Sequence, residues 1–162
     1  MNVSVRWAKA DDCDAMHDLV KELALFERAP HEVATNPFVF QQDGFGAEPA
    51  FKAFVAEVNT EVIGMCLFHA AFSTWKGKYI YLDDLIVREA FRNRGIGKML
   101  FEKLIQHCKE INVNQLRWHV LDWNEPAITF YKRYHASLDS TWITGKLSKA
   151  QIQAHQAVHE SL

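Results

Sequence analysis

Apolar and polar residues alternate through Val3–Trp7, the two-residue period of a half-buried strand. The period then lengthens. Cys13, Met16, Val20 and Leu23 recur at helical spacing behind two N-cap candidates, Asp11 and Asp12, which predicts a helix to about Arg28. Pro30 to Pro49 is the least regular stretch and has room for a short helix between loops. Its Asp43-Gly44-Phe45-Gly46 precedes no clear helix, so it reads as a turn and not as a phosphate loop. Two strand patterns follow, Phe51–Val58 and Val62–Phe72, joined by a hairpin turn at Asn59-Thr60; a third spans Tyr79–Val87.

In the second half, Ile96, Leu100, Leu104 and Cys108 fall four apart and predict a strongly amphipathic helix. Gln115–Leu121 reads as another strand. Asn124-Glu125-Pro126 starts a helix that carries Phe130 and Tyr131, with Asn as N-cap and Pro inside the first turn, where its missing N–H does no harm. A last strand is expected near Ser137–Ile143 and a terminal helix from Ser148. The order β-α-(α)-β-β-β-α-β-α-β predicts an α/β chain: a mixed, mostly antiparallel sheet with helices on both faces.

Composition narrows the partners. The 162 residues are 49% hydrophobic and 23% charged, as in ordinary globular proteins, and contain no repeat or linker-like tract, so 1–162 is expected to be one domain. With 18 basic and 20 acidic residues the net charge is −2, which lacks the basic excess of a nucleic-acid binder. Cys13, Cys66 and Cys108 lie scattered in apolar runs and read as buried free thiols. The start MNVSVRWAKADD has no signal-like segment, and no apolar run approaches the roughly 18 residues of a membrane span, so a cytoplasmic protein is expected. His155 and His159 are four apart, but no third ligand lies nearby, so no metal is expected.

The candidate chemistry begins where the strand ending in Leu85-Ile86-Val87 gives way to Arg92-Asn93-Arg94-Gly95-Ile96-Gly97-Lys98. A helix start presents free N–H groups and the positive end of the helix dipole to an anion. Glycines at 95 and 97 let a pyrophosphate approach the backbone, and Arg92 and Arg94 add positive charge. The P-loop pattern and the dinucleotide pattern G-x-G-x-x-G after a strand are both absent.

Arg92-Asn93-Arg94-Gly95-Ile96-Gly97 resembles the Arg/Gln-x-x-Gly-x-Gly/Ala loop of the GNAT acetyltransferase superfamily, and the element order resembles that fold over nearly the whole chain. LALFE at 23–27, DGFG at 43–46, YLDDL at 81–85, WNEP at 123–126 and FYKR at 130–133 resemble the diamine acetyltransferases, which include spermidine/spermine and thialysine-acetylating members. The resemblance implies acetyl-CoA as co-substrate, transfer to a primary amine of a small basic molecule, and a homodimer. It implies that Leu85, Ile86 and Val87 would pair with the pantetheine arm and that the amides from Asn93 to Lys98 would hold the pyrophosphate. Asn124 and Tyr131 would flank the thioester, and Glu27, Asp83, Trp75, Trp118 and His119 would line the acceptor site.

Acetyl transfer needs an amine stripped of its proton, a stabilised oxyanion and a proton for the leaving thiolate. By the resemblance Tyr131 is the general acid; seven residues, about two helical turns, separate it from Asn124, so both share one helix face. Asp83 and Asp84 stand in an apolar strand, where an unpaired polar group costs about 2–7 kcal/mol and a charge more. Neighbours on a regular strand face opposite ways, so at most one of the two is expected in the pocket, and by the resemblance it is Asp83, holding the ammonium or acting as base through water. Glu27 ends the first helix, where the dipole disfavours its charge, as suits a substrate carboxylate.

Ser73-Thr74-Trp75-Lys76-Gly77 resembles the thialysine-type members; polyamine-type members carry an acidic residue at the position of Ser73. His135 replaces the glycine that usually follows the FYKR helix, which predicts a slightly altered turn. Two other functions remain open from sequence: a GNAT enzyme acting on a peptide, protein or antibiotic amine, and a non-catalytic acyl-CoA-binding module.

Overall fold

The computed structural model describes residues 2–155. The chain divides into two compact units, Met1–Leu121 and Asp122–Leu162. The first holds a five-stranded sheet in the order β1-β2-β3-β4-β5. Strands β1 (Ser4–Trp7), β2 (Lys52–Val58), β3 (Glu61–Ser73) and β4 (Gly77–Val87) pair antiparallel, and β5 (Gln115–Arg117) joins β4 in parallel. The sheet is therefore mixed, as the alternation of periods predicts. Asn59 and Thr60 both take positive φ, 47° and 69°, the geometry of a tight two-residue hairpin.

Two helices cover one face. Cys13, Met16 and Leu19 of α1 (Cys13–Phe26) and Phe40 of α2 (Pro37–Phe45) bury against Ala53, Val55, Met65, Leu67 and Ile86. The helix foreseen between Pro30 and Pro49 is α2; Asn36 caps it by accepting the Val39 N–H at 3.0 Å, with Pro37 in the first position. On the other face α3 (Ile96–Glu110) buries Ile96, Leu100, Phe101 and Leu104, the stripe written into its sequence, with His107 set among Trp7, Phe54 and Phe68.

Helix α1 starts where expected, but Asp12 does not cap it. The carboxylate instead accepts a bidentate pair of bonds from Arg6, at 2.7 and 2.9 Å, and the Lys9 N–H at 2.8 Å. Arg6 also meets Glu57 of β2, so one buried carboxylate ties β1 and β2 to the entry of α1.

In the second unit, α4 (Glu125–Lys132) begins as predicted, with Asn124 accepting the Ala127 N–H. His135 adopts φ 57° just beyond it, the left-handed turn that usually asks for glycine. Ser148 caps α5 (Lys149–Ala154). His159 of the proposed His155/His159 pair lies outside the described residues.

Two predicted strands differ. β5 stops at Arg117, so Trp118–Leu121 leaves the ladder, for a reason given below. No strand forms over Ser137–Ile143. Asp139 there accepts the Thr141 N–H at 2.8 Å, the Thr141 hydroxyl at 2.6 Å and the Trp142 indole N–H at 3.1 Å, a local turn that competes with extended pairing.

Candidate active site

Strand β4 carries an irregularity at the acidic pair. Leu67 of β3 pairs with Asp84 and Phe68 pairs with Leu82, so Asp83 is an extra residue, a β-bulge. A bulge sharpens the local twist, and here the sheet parts: β5 pairs with Tyr79, Ile80 and Tyr81 and follows no further, while β4 continues to Val87. Beyond Tyr81 the outer edge of β4 therefore lacks a strand partner among the described residues.

The register decides which groups use that edge. The Arg88 N–H donates to the Ile63 carbonyl at 2.8 Å, and antiparallel pairs alternate between bonded and non-bonded. The Gly64–Val87 pair is then non-bonded, and the Val87 amide and carbonyl face outward, as do those of Leu85 two residues earlier. Arg92 Nε reaches the Val87 carbonyl at 3.0 Å from that side.

The edge leads to the start of α3. Gly95 is its N-cap with φ 79° and ψ 1°, and it offers no side chain as acceptor. The first helical bond runs from the Met99 N–H to the Gly95 carbonyl, which leaves the first-turn amides without an intrahelical acceptor. Arg92 lies over the Phe26 ring at 5.2 Å and Arg94 over the Phe91 ring at 5.8 Å, both beside this helix start. An open strand edge ending in an uncapped, arginine-flanked helix start suits a ligand with an amide-bearing arm and a phosphate end.

The two glycines differ in kind. A methyl at Gly95 would meet nothing within 4 Å, but its positive φ disfavours any other residue. Gly95→Ala is expected to destabilise by about 1–2 kcal/mol. Gly97 has no positive φ, and an added Cβ would stand 3.9 Å from the Val87 side chain, an ordinary contact. Gly97→Ala is expected to stabilise the helix by about 0.5–1 kcal/mol, and urea denaturation of the two variants checks the contrast. A glycine that stability does not require points to a need for open backbone.

Next to the open edge sits an acidic cluster. Glu27 closes α1, and Arg28 turns the chain with φ 62°. Although Glu27 as a residue is exposed, partial burial of its carboxyl and then the Asp83 charge push it above the usual carboxylate range. Asp83 is exposed. Asp84 is half-buried; burial first, then Asp83 and Glu27, push its carboxyl up to about 7. Burial and the charge of Asp83 also raise the Tyr81 phenol, whose hydroxyl is hydrogen-bonded to His119 Nδ1, with the His69 ring 5.3 Å away.

The structure thus brings together Glu27, Asp83, Asp84 and His119 of the residues singled out from sequence, and adds Tyr81. Tyr81 has a sequence signal, its place in YLDDL two residues before Asp83; the position of Asp84 depends on the bulge, which has none. Trp118 turns the other way, edge-on to Phe101 of α3 at 5.6 Å, and Trp75 is 83% exposed in the turn between β3 and β4. Asn124 and Tyr131 stand at the start and on the body of α4 in the second unit; Tyr131 is 7% exposed, its ring 5.2 Å from Phe130. Among the described residues no group of three or more His, Cys, Asp or Glu side chains is placed to hold a metal, and no helix is long and apolar enough to cross a membrane.

This fold and helix start define an acetyltransferase: the acetyltransferase (GNAT) family matches residues 6–136, and the chain belongs to it. It is an N-acetyltransferase, similar to the thialysine N-epsilon-acetyltransferase of Bos taurus, with 36% identity over 138 residues covering 80% of this chain and 81% of that protein. The Mus musculus protein of the same name is 34% identical over 152 residues, 89% of each chain. Among solved structures, an integron cassette protein from V. cholerae shares the fold with a TM-score of 0.77 at 21% identity, covering 94% of this chain and 96% of that one.

Proposed function

We propose that this chain moves an acetyl group from acetyl-CoA to the primary amine of a small basic molecule, a thialysine- or lysine-like amino acid or a diamine. The observation that carries this is the acidic cluster of Glu27, Asp83 and Asp84 set where β4 parts from β5, beside the open edge. Three carboxylates attract an ammonium, and the names of the similar mammalian proteins carry an acceptor of that kind.

Leu85 and Val87 hold the pantetheine arm by extending the sheet, while the Ile86 backbone between them stays paired to β3, and the amides from Asn93 to Lys98 hold the pyrophosphate, with Arg92 and Arg94 beside them. Bound acetyl-CoA supplies the activated acetyl group. Glu27 and Asp83 hold the ammonium, and His119 and Trp75 lie along the acceptor's path. Asn124 positions the thioester end, and Tyr131 gives its phenolic proton to the departing sulfur. The two units then act as one catalytic domain, which is supported by a family match that runs across residues 121 and 122. A homodimer is taken from the family resemblance. A cytoplasmic setting, where free thiols persist, fits the three free, buried cysteines.

Acetyl transfer is tested by CoA release from acetyl-CoA with spermidine, putrescine, thialysine, lysine, an aminoglycoside and a short peptide. Turnover of one small amine and little of the others is expected. Turnover of the peptide alone would overturn the small-amine reading, and tight acetyl-CoA binding without turnover would make the chain a binding module. Gly97→Ala gives a second check: KM for acetyl-CoA is expected to rise although stability does not fall.

A further inference from the structure

We propose that Asp84, and not Asp83, takes the proton from the acceptor ammonium, while Asp83 and Glu27 hold the ammonium before it. This assignment rests on the acetyl-transfer reading and names the base within it.

The register provides the geometry. Along β3, Met65 and Leu67 point to α1, and His69 follows at the same two-residue period. Their partners on β4 are Ile86, Asp84 and Tyr81. Asp84 and Tyr81 thus lie on the α1 face although three residues separate them, because the bulge at Asp83 absorbs one. In a regular strand Asp84 would have pointed with Leu82 into the packing beneath α3. The bulge puts it below the end of α1, where Glu27 stands.

The surroundings suit a base. An alkylammonium with a pKa near 10.4 gives a proton poorly to a carboxylate near 4, and general bases work best with a pKa near the operating pH. The groups that act on Asp84 or share its face are Asp83 and Tyr81 on β4, Glu27 at the end of α1, His69 and Cys66 on β3, and His119 against Tyr81. Two carboxylates and burial together hold it near neutrality. Asp83 is exposed and, as the bulged residue, has no partner on β3.

The proton balance follows. Asp84 takes one proton from R–NH3+, and the freed lone pair forms the C–N bond. The C–S bond breaks as Tyr131 protonates sulfur, and the phenolate recovers the second proton from nitrogen. One proton per turnover remains on Asp84 and leaves to water.

The test is the pH dependence of kcat/KM for an amine the wild type turns over, measured with Asp84→Asn, Asp84→Glu and Asp83→Asn. Wild type is expected to lose activity below about pH 7, because Asp84 must be ionised in the free enzyme. Asp84→Asn is expected to lower kcat by about 10²-fold or more and abolish that acidic limb, with partial recovery in Asp84→Glu. Asp83→Asn is expected to raise the amine KM, keep the limb, and move it to lower pH, since one like charge has gone. Loss of the limb in Asp83→Asn would overturn the assignment, and that variant decides even where Asp84→Asn fails to fold. A wild type that acetylates no amine overturns the transfer reading itself; an active wild type with a misplaced limb overturns only Asp84.

Discussion

Exchanging Tyr131 for phenylalanine is expected to slow acetyl transfer by about 10²–10⁴-fold, the usual contribution of a positioned acid, while leaving the fold intact. The variant keeps the buried ring and its contact with Phe130, and loses only the hydroxyl. Without it the thiolate departs unprotonated. The loss should appear in kcat, with KM for acetyl-CoA nearly unchanged, and the melting temperature should stay within a few degrees of wild type. A fall of less than about threefold would remove Tyr131 from the chemistry, since general acids contribute far more than that.

The second large effect is on stability. Asp12→Ala is expected to destabilise by about 3 kcal/mol, as for breaking a buried ion pair from one side. The substitution removes both bonds from Arg6 and the acceptor of the Lys9 N–H, and leaves Arg6 with Glu57 as its remaining carboxylate and with the Trp7 carbonyl. Burial by itself would raise the Asp12 carboxyl, but the Arg6 and Lys9 bonds outweigh it and hold the group below its ordinary value. The pH dependence has a definite sign. A group with a depressed folded-state pKa stabilises fully above the unfolded value, near 4, and less as pH falls through the folded value. Urea midpoints should therefore drop with acid in that range for wild type, and the gap to Asp12→Ala should narrow.

Local signals in the sequence were reliable where one short segment decides the structure. Asn59-Thr60 turns a hairpin, Ile96, Leu100 and Leu104 bury one side of α3, and Asn124 with Pro126 opens α4. They misled where a distant partner claims the same atoms. Asp12 looks like a cap by position, yet Arg6 takes its carboxylate from β1. Ser137–Ile143 reads as a strand, yet Asp139 takes up the Thr141 N–H and hydroxyl and the Trp142 indole N–H within the segment. The end of β5 and the face of Asp84 depend on one unpaired residue in β4, and the bulge is set by how β3 and β4 meet, which alternation along one strand cannot encode. The loop from Arg92 to Lys98 was legible because its chemistry is contiguous; the acidic cluster was half legible because α1 and β4 contribute it from far apart in the chain.

The extra residue in β4 also separates two properties that a strand usually ties together. Removing Asp83 by a one-codon deletion would let Leu82 and Asp84 stand next to each other opposite Phe68 and Leu67, and every remaining side chain would keep its present side. Deleting Leu82 or Leu85 instead would put neighbours out of phase and drive a carboxylate or a tyrosine toward the α3 side. Loss at 83 therefore removes a carboxylate from the strand without moving any other side chain to the opposite face.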